Sequence, residues 1–364
     1  MTSLQIALLK SSFHLKGGLE KYCFRIANAL RQQGHTVSIL TSSPSSKKDN
    51  VIQICSSVKP SALQLLWFDW NSRRYLKRHS YDIVFGFDRH FLPLTHYRAG
   101  NGCHAAYLER RKKRASFIKR LSFYCNPLHL LTTLSERFLF ERHPPRVIIC
   151  NSQLVKREIL QFYPATPEER LHVVHNGVEW FDYEESFFTR QKATIPRILF
   201  IGHEWRRKGL ELALGALSRI TDHDFRMVVV GKERDPSRFI KIAREYELSH
   251  KIEFHPTPQP SLPFYQASDI ALLPSLYDPF ANATVEALAM GLYVITTVSN
   301  GGSEVIIEGK NGSVIDHDPE ECAKKLLYAF NRIKEEGCQD WIRESVRQYD
   351  FSNQLKKIVS LAEE

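Results

Sequence analysis

Two carboxylates stand eight positions apart in the run Asp278-Pro279-Phe280-Ala281-Asn282-Ala283-Thr284-Val285-Glu286. The good helix formers at 283–290 predict a helix that begins near Phe280. Asp278 then lies at the helix mouth and Glu286 about two turns inside, so both can face one ligand. Unfilled N–H groups at a helix N-terminus suit a phosphate, and carboxylates suit sugar and ribose hydroxyls. Taken alone, such a run is more often an N-capping Asp and an exposed Glu.

Short apolar runs surround this segment, and each leads into a polar or glycine-containing loop. They predict buried strands at 197–202, 225–231, 251–255, 270–274 and 291–297. A loop at 203–209 and a helix at 210–220 follow the first of these strands. The order strand, loop, helix, strand is typical of a parallel α/β sheet.

The first half of the chain shows the same order of elements. Apolar runs predict strands at 5–10, 35–40, 81–86 and 146–151. The loop Lys16-Gly17-Gly18-Leu19-Glu20 separates the first strand from a helix that ends at Gly34. We therefore predict two doubly wound, Rossmann-like α/β domains at 1–178 and 197–340, with a linker at 179–196. Residues 341–364 are predicted to be helical.

The chain of 364 residues has a formal net charge of +10, and most of the excess lies in one segment. Residues 98–124 contain a single acid, Glu109, and eight basic residues: Arg98, Arg110, Arg111, Lys112, Lys113, Arg114, Lys119 and Arg120. Such a cluster indicates an anionic partner, which is a membrane surface, a phosphorylated substrate or a nucleic acid. Apolar residues recur there at helical spacing, at Phe117, Ile118, Leu121 and Tyr124. They fit a helix lying on an anionic membrane, or one packed on its own domain.

No apolar run in the sequence is long enough to cross a bilayer, and the first residues lack the pattern of a secretory signal. We therefore expect a cytoplasmic protein. The cysteines and histidines show no spacing typical of a metal site, so we expect no metal.

Basic residues fill the loop after the strand at 197–202, in Arg206-Arg207-Lys208-Gly209. A guanidinium and an ammonium beside a helix N-terminus can hold a diphosphate and stabilise it as it leaves. Open α/β sheets bind ligands at the carboxyl ends of their strands, which makes this function as plausible as a solvated basic loop. Gly17 and Gly18 hold the equivalent place in the first half, where they form either an anion-binding loop or an ordinary turn.

The joint order of these motifs resembles the retaining GT-B glycosyltransferases, the large family that includes sucrose-phosphate synthases and bacterial mannosyl- and glucosyltransferases. The resemblance covers nearly the whole chain. It rests on Gly17-Gly18, Val147-Ile148-Ile149-Cys150-Asn151-Ser152, His175-Asn176-Gly177-Val178, Arg207-Lys208-Gly209, the run 278–286, Gly301-Gly302 with Glu304, and Gly309-Lys310-Asn311-Gly312. Within the family the chain is most similar to the lipopolysaccharide core glucosyltransferases, which share a Gly-Gly-Leu loop, Arg-Lys-Gly and a basic segment after the third strand.

The resemblance implies a role for each matching residue. Arg207 and Lys208 hold the donor diphosphate, Glu286 bonds the ribose hydroxyls, and Asp278 faces the sugar hydroxyls. Gly17 and Gly18 border the diphosphate and the sugar. The donor-binding set also includes Phe280, Ala281 and Asn282. The chain departs from the family where Asp278 replaces the usual Glu and Ala281 the usual Gly, which puts the identity of the donor sugar in doubt.

The resemblance further implies two domains that face a central cleft, with the last helices returning to the first domain. It implies transfer of a hexose, with glucose favoured, from a UDP-sugar to a glycolipid such as the lipopolysaccharide core. With no obvious nucleophile, a front-face displacement without a divalent cation is expected. His104 is a candidate catalytic group in the first domain, and Asp88 and Asn101 are weaker ones.

Two other functions stay open on the sequence alone. The first is a nucleotide-sugar epimerase or hydrolase on the same fold. The second is a nucleic-acid-binding protein that uses the basic cluster, but it leaves the motifs of the second half unexplained, so we expect no nucleic acid partner. The predicted location is the cytoplasm, at the inner face of the cytoplasmic membrane, with the cluster of basic residues (Arg110, Arg111, Lys112, Lys113, Arg114, Lys119, Arg120) on the lipid.

Overall fold

The structure is a computed structural model that describes residues 3–12, 18–44, 50–113, 123, 125–190, 194–257 and 260–363. The chain divides into two compact units, Met1–Val174 with Leu355–Glu364, and His175–Gln354. Each unit is built on its own parallel sheet, whose strands pair only with strands of the same unit. The fold is thus two α/β units in tandem, as the sequence predicts.

The first unit contains a seven-stranded parallel sheet with the order β3-β2-β1-β4-β5-β6-β7. Its strands are β1 Gln5–Leu9, β2 Thr36–Thr41, β3 Val51–Gln53, β4 Ile83–Gly86, β5 His96–Ala99, β6 Val147–Cys150 and β7 Leu171–Val173. Its described helices are α1 Gly18–Gln32, α2 Ser61–Leu76, α3 His104–Lys113, α4 Pro127–Arg137 and α5 Gln153–Phe162, with a π-helical turn at Phe138–Arg142 and a 3-10 turn at Glu168–Arg170. The strand order reverses between β1 and β4, which are neighbours at the centre of the sheet.

The second unit contains a six-stranded parallel sheet with the order β10-β9-β8-β11-β12-β13. Its strands are β8 Arg197–Ile201, β9 Arg226–Val230, β10 Ile252–His255, β11 Ile270–Leu273, β12 Tyr293–Thr297 and β13 Gly312–Ile315. Its helices are α6 Glu184–Phe188, α7 Leu210–Leu217, α8 Pro236–Glu245, α9 Leu262–Gln266, α10 Asn282–Ala289, α11 Pro319–Arg332 and α12 Cys338–Ser345, with 3-10 turns at Trp180–Tyr183, Gly301–Val305 and Arg347–Tyr349. The last helix, α13 Phe351–Ala362, begins in this unit and ends in the first.

All nine strands predicted from apolar runs are present, with ends within two residues of the prediction. These strands are apolar because a parallel sheet is buried on both faces. Four strands were not predicted: β3, β5, β7 and β13. β3 and β7 have three residues each, and β5 carries His96 and Arg98, which the search for apolar runs passes over.

Arg98 is a buried residue of β5 rather than part of a surface cluster. Its guanidinium carbon lies 3.7 Å from the centre of the Tyr22 ring, on helix α1. A cation over an aromatic face gains electrostatic attraction where little water competes. Arg98 therefore belongs to the interior of the first unit, and the basic surface segment begins at Arg110.

Residues 179–196, predicted as a linker, belong to the second unit. Trp180 and Phe187 of this segment are buried in its hydrophobic core. Val178 forms a parallel bridge with Asp350, and its backbone bonds Tyr349 and Phe351. The division between the units accordingly lies earlier, between Val174 and His175.

Candidate functional site

The strand order of the second sheet reverses between β8 and β11. In open α/β sheets the loops that leave neighbouring strands at this point diverge and leave room for a ligand. The loop after β8 contains Arg207 and Lys208, and the loop after β11 contains Asp278. The candidate donor site of the sequence therefore lies at the reversal point of the second sheet.

Gly209 allows these two loops to touch. Its φ is +82°, and a Cβ atom at this position would lie 1.9 Å from the carbonyl oxygen of Pro274. Only glycine combines this conformation with so close an approach. The backbone N–H of Leu276 donates to the carbonyl of Arg207 at 2.9 Å and links the loops. The basic pair is thereby held against the loop that carries Asp278.

Asp278 binds Arg207 and Lys208 through one carboxylate oxygen. Lys208 Nζ donates to Asp278 Oδ2 at 2.6 Å, and Arg207 NH1 donates to the same oxygen at 3.3 Å. Arg207 also donates from Nε to Glu204 Oε2 at 2.7 Å and from NH1 to the Tyr277 carbonyl at 3.2 Å. The two long side chains are therefore ordered before any ligand binds.

Burial would raise the pKa of the Asp278 carboxyl, but Lys208 and then Arg207 hold it below its usual value. Burial lowers the pKa of Arg207, and Asp278 and Glu204 raise it above its usual value. Asp278 and Arg207 are thus both charged at neutral pH. The site offers two fixed positive charges, which can neutralise a diphosphate, and one negative charge beside them.

Helix α10 begins at Asn282, two residues later than the sequence predicts. The buried side chain of Asn300 is the reason, because its Oδ1 accepts hydrogen bonds from Ala281 N at 3.0 Å and Gly302 N at 2.9 Å. Asp278 Oδ1 accepts from Phe280 N at 3.2 Å, which makes a bend before the helix. Ala281 occupies the N-cap position, so Asp278 is not the N-cap.

Glu286 lies about one turn inside the helix, not two. Its Oε2 accepts a hydrogen bond of 2.7 Å from the hydroxyl of Tyr265, which is fully buried on α9. Burial and the Glu286 charge both raise the pKa of Tyr265 well above its ordinary value, so the phenol keeps its proton. Asp278 and Glu286 therefore have different hydrogen-bond partners, and Tyr265 fixes the second carboxylate.

Three further donor-site candidates lie at the start of α10. Phe280 and Ala281 are buried, and they donate their backbone N–H groups to Asp278 and Asn300. Asn282 is exposed, and its Oδ1 accepts from Asn176 Nδ2 at 2.7 Å. The N–H groups of Phe280 and Ala281 thus form hydrogen bonds with side chains of the protein itself.

The turn at 175–177 reaches this site, which the sequence did not predict. His175 Nε2 lies 2.8 Å from Glu304 Oε2, and its ring lies 5.7 Å from the Phe280 ring, centre to centre. Tyr349 packs edge-on against the same imidazole. Asn300 was missed as well, since its hydrogen bonds depend on contacts between loops. The motifs His175-Asn176-Gly177 and Gly301-Gly302 with Glu304 were noted, but nothing in their spacing indicated that they meet.

The remaining candidates belong to the first unit. Gly17 lies outside the described residues, and Gly18 is the first residue of α1. Asp88 follows β4, and its carboxylate accepts from Lys10 Nζ at 2.7 Å and from the backbone and hydroxyl of Ser11. It therefore lies at the reversal point of the first sheet, between β1 and β4. Asn101 is exposed in the turn before α3.

His104 is the first residue of α3, and its backbone binds the buried carboxylate of Glu136. The backbone N–H groups of His104 and Ala105 donate to this carboxylate at 2.7 and 3.2 Å, as do Arg89 Nε and the Tyr163 hydroxyl. Burial lowers the pKa of His104 to about 3, with Arg89, His129 and Arg111 adding to the effect. The imidazole is therefore neutral at physiological pH and can accept or donate a hydrogen bond there.

The basic segment is only partly described. Arg110 forms an ion pair with the buried Glu158, Lys113 pairs with Glu109, and Arg111 lies over the rings of Tyr107 and Phe123. Arg114, Lys119 and Arg120 lie outside the described residues, as do Phe117, Ile118, Leu121 and Tyr124. Three of the predicted membrane-binding cations therefore also make contacts within the first unit.

Within the described ranges, no group of three or more His, Cys, Asp or Glu side chains is placed to hold a metal ion. In the same part of the chain, no helix has the length and apolar character that crossing a bilayer requires.

Two family models match the chain side by side. The model described as Glycosyltransferase Family 4 matches residues 16–179, and the one described as Glycosyl transferases group 1 matches residues 182–346. The first covers most of the first unit and the second covers the site around Asp278. Together they span most of the chain.

The proteins similar to the chain include the following two curated proteins and one solved structure. The lipopolysaccharide glucosyltransferase WaaG of Escherichia coli is 25% identical over 320 residues, or 82% of each chain. An uncharacterized glycosyltransferase of Methanocaldococcus jannaschii is 24% identical over 225 residues, which are 58% of this chain and only 55% of that protein. The crystal structure of WaaG, described as a glycosyltransferase involved in lipopolysaccharide biosynthesis, has a TM-score of 0.76 at 21% identity and covers 98% of this chain and 99% of its own.

Proposed function

Since the chain belongs to the GT-B glycosyltransferases, we propose that it is a retaining hexosyltransferase that moves glucose from UDP-glucose to a glycolipid acceptor such as the lipopolysaccharide core. The observation that carries this proposal is the contact of Lys208 and Arg207 with Asp278 at the reversal point of the second sheet. The similarity to a lipopolysaccharide glucosyltransferase over 82% of each chain favours glucose and this class of acceptor.

In the proposed complex the diphosphate of the donor binds Arg207 and Lys208. Their charges match the two negative charges that a UDP-sugar carries on its diphosphate. Glu286 accepts hydrogen bonds from the ribose hydroxyls while Tyr265 holds it in place. Asp278 Oδ1 accepts a hydrogen bond from Phe280 N and keeps a further lone pair that can accept from a hydroxyl of the sugar.

The proposed reaction is a displacement on the front face of the sugar. The acceptor hydroxyl attacks C1 from the side on which UDP leaves. As the bond from C1 to the acceptor oxygen forms, the bond from C1 to the phosphate oxygen breaks, and the hydroxyl proton passes to that phosphate oxygen. Negative charge grows on the departing UDP, where Arg207 and Lys208 stabilise it more strongly than in the bound donor.

We propose that no divalent cation takes part, because the basic pair supplies the charge that a metal would otherwise supply. Transfer should then persist in excess EDTA. Loss of activity in EDTA that magnesium or manganese restores would overturn this part of the proposal. The result expected in EDTA is the same whichever sugar is transferred.

We also propose that the enzyme works on the inner face of the cytoplasmic membrane, with the basic residues from Arg110 to Lys113, Arg114, Lys119 and Arg120 near anionic lipid or acceptor phosphate. Attraction of about 1 kcal/mol per basic residue near an anionic surface suffices for reversible binding. This contribution is screened by salt, so binding to anionic vesicles should weaken as ionic strength rises.

Product analysis tests the proposed reaction. The purified protein is incubated with UDP-glucose, with and without a lipopolysaccharide core acceptor that lacks its outer sugars, and the products are examined by NMR. We expect an α-glucoside and UDP only when the acceptor is present. Free glucose as the main product, an epimerised nucleotide sugar, or a β-glucoside would contradict the proposal.

A further inference from the structure

Helix α2 of the first unit has two opposite faces. The residues Ala62, Phe68, Asp69 and Ser72 are buried against the unit. On the other side, Leu63, Leu66, Trp67 and Trp70 are exposed, with 54% of Leu63 and 50% of Trp70 accessible. Their spacing of three and four residues places them on one stripe of the helix. The two indole rings stack with their centres 5.4 Å apart.

The neighbouring helix α4 packs against α2 and also exposes two apolar residues, Leu130 and Leu134, one turn apart. We call these six residues, Leu63, Leu66, Trp67, Trp70, Leu130 and Leu134, the apolar face. Single exposed apolar residues are common on soluble proteins, but a set of this size on two packed helices is typical of an interaction site.

The exposed charged residues at the end of α2 are all positive. Arg73, Arg74, Lys77 and Arg78 are exposed at the end of α2, and Arg74 lies 5.6 Å from the centre of the Trp70 ring. Asp69 is the one acid between residues 59 and 80, and it is buried, with its carboxylate accepting from His90 and from Phe91 N. The surface therefore combines indole rings with cations and exposes no carboxylate of its own helix.

We propose that the apolar face binds an anionic lipid bilayer at its interface, with Trp67 and Trp70 at the depth of the headgroups. Tryptophan favours this depth because one part of its ring is apolar and the other carries an N–H donor. The arginines and Lys77 then lie level with the lipid phosphates, and their stems cover apolar surface. Helix α4 also packs against α3, which carries Arg110, Arg111, Lys112 and Lys113.

A second copy of the chain fits the apolar face less well. A twofold dimer through α2 brings Arg74, Lys77 and Arg78 of both copies into one interface, and neither helix supplies an exposed carboxylate to neutralise them. Like charges at an interface oppose association, whereas an anionic bilayer neutralises them. Charge complementarity thus selects lipid as the occupant.

Vesicle binding of the full chain tests this inference. We compare W67Q/W70Q with the wild type on vesicles of phosphatidylglycerol and phosphatidylcholine, and on phosphatidylcholine alone. The matched control is W341Q, because Trp341 is also exposed but belongs to helix α12 of the second unit. We expect the double variant to bind anionic vesicles at least about tenfold more weakly, with the control within about twofold of the wild type.

Quenching of tryptophan fluorescence by lipids with brominated acyl chains is a second readout. It is measured on the wild type and therefore does not depend on the folding of a variant. Trp180 and Trp205 are buried, so quenching reports on Trp67, Trp70 and Trp341. We expect strong quenching in the wild type and in W341Q. Equal vesicle binding by W67Q/W70Q and wild type, no quenching, or equal binding to purely zwitterionic vesicles would overturn the inference. So would a dimer that the double variant abolishes while the wild type binds no vesicles.

The inference deepens the proposed membrane location but is independent of the transfer reaction. Neither the donor nor the acceptor is present in these experiments. Failure of lipid binding would therefore leave the assignment of the donor site untouched, and failure of transfer would leave the apolar face untouched.

Discussion

Lys208 Nζ lies 2.6 Å from Asp278 Oδ2, although the two residues are 70 positions apart in the chain. The contact joins the loop after β8 to the loop after β11. It neutralises a carboxylate that is 7% exposed and holds a flexible ammonium in one place. A ligand that binds Lys208 does not have to supply the entropy cost of ordering this side chain. The same contact means that a diphosphate shares its cation with Asp278.

Replacing the basic pair should impair transfer. Each charge-assisted contact to the departing diphosphate should contribute about 1.5 to 3 kcal/mol, so K208A should lower kcat/KM about 10- to 150-fold, and the double variant with R207A by more. R206A is the matched control, because Arg206 is exposed in the same loop. Activity of K208A within about twofold of the wild type would refute the assignment.

A substitution at Asp278 can distinguish a role toward the donor sugar from a role toward the diphosphate. D278N keeps the size of the side chain but removes its charge, so turnover should fall far more than the affinity for free UDP. E204Q is the control, because Glu204 also binds Arg207 but is mostly exposed. Steady-state kinetics and UDP titration give the two quantities. Equal losses in both would argue against a role of Asp278 toward the sugar.

The hydrogen bond from Tyr265 to Glu286 should affect the donor KM. In Y265F the carboxylate loses a donor that fixes it, and we expect the KM for the nucleotide sugar to rise about three- to tenfold with little change in kcat. Y293F removes a buried hydroxyl that bonds Gly312 and Ser313 instead, and should lower stability by about 1 kcal/mol without this rise. If Y265F and Y293F have the same KM, the hydrogen bond from Tyr265 to Glu286 contributes to stability alone.

His104 should make the first unit less stable in acid. Its pKa is lowered to about 3 in the folded chain, against about 6.5 in an unfolded one, so the unfolded state binds the proton first. Stability should therefore fall as the pH drops from about 6.5 toward 3, and H104Q should lose part of this dependence. Urea midpoints across this range measure it. The same slope in both proteins would contradict the buried, neutral imidazole.

The sequence was sufficient for the long strands and for the basic pair. Apolar runs bounded by loops identify strands such as β1, β8 and β11, because burial on both faces demands apolar side chains. Arg207 and Lys208 were placed at a candidate ligand site because they follow the carboxyl end of a strand. Asp278 was joined to them by the family resemblance.

Other parts of the site depend on contacts that no local pattern records. Asn300 sets the start of α10 from a loop that lies 18 residues further along the chain, so the helix was expected too early. The partner of His175, Glu304, is 129 positions away. Arg98 was counted with the basic segment that begins at Arg110, whereas β5 buries it. Tertiary packing decides each of these, and the sequence alone does not show it.

Donor binding by thermal shift tests the assignment of the second unit most directly. UDP-glucose at about one hundred times its dissociation constant should stabilise the wild type by roughly 2.7 kcal/mol. The R207A/K208A variant should show almost no shift, while R206A should match the wild type. UDP-galactose, GDP-mannose and UDP-N-acetylglucosamine complete the screen. An equal shift in wild type and R207A/K208A, or no shift with any nucleotide sugar, would contradict a donor site formed by Arg207, Lys208 and Asp278.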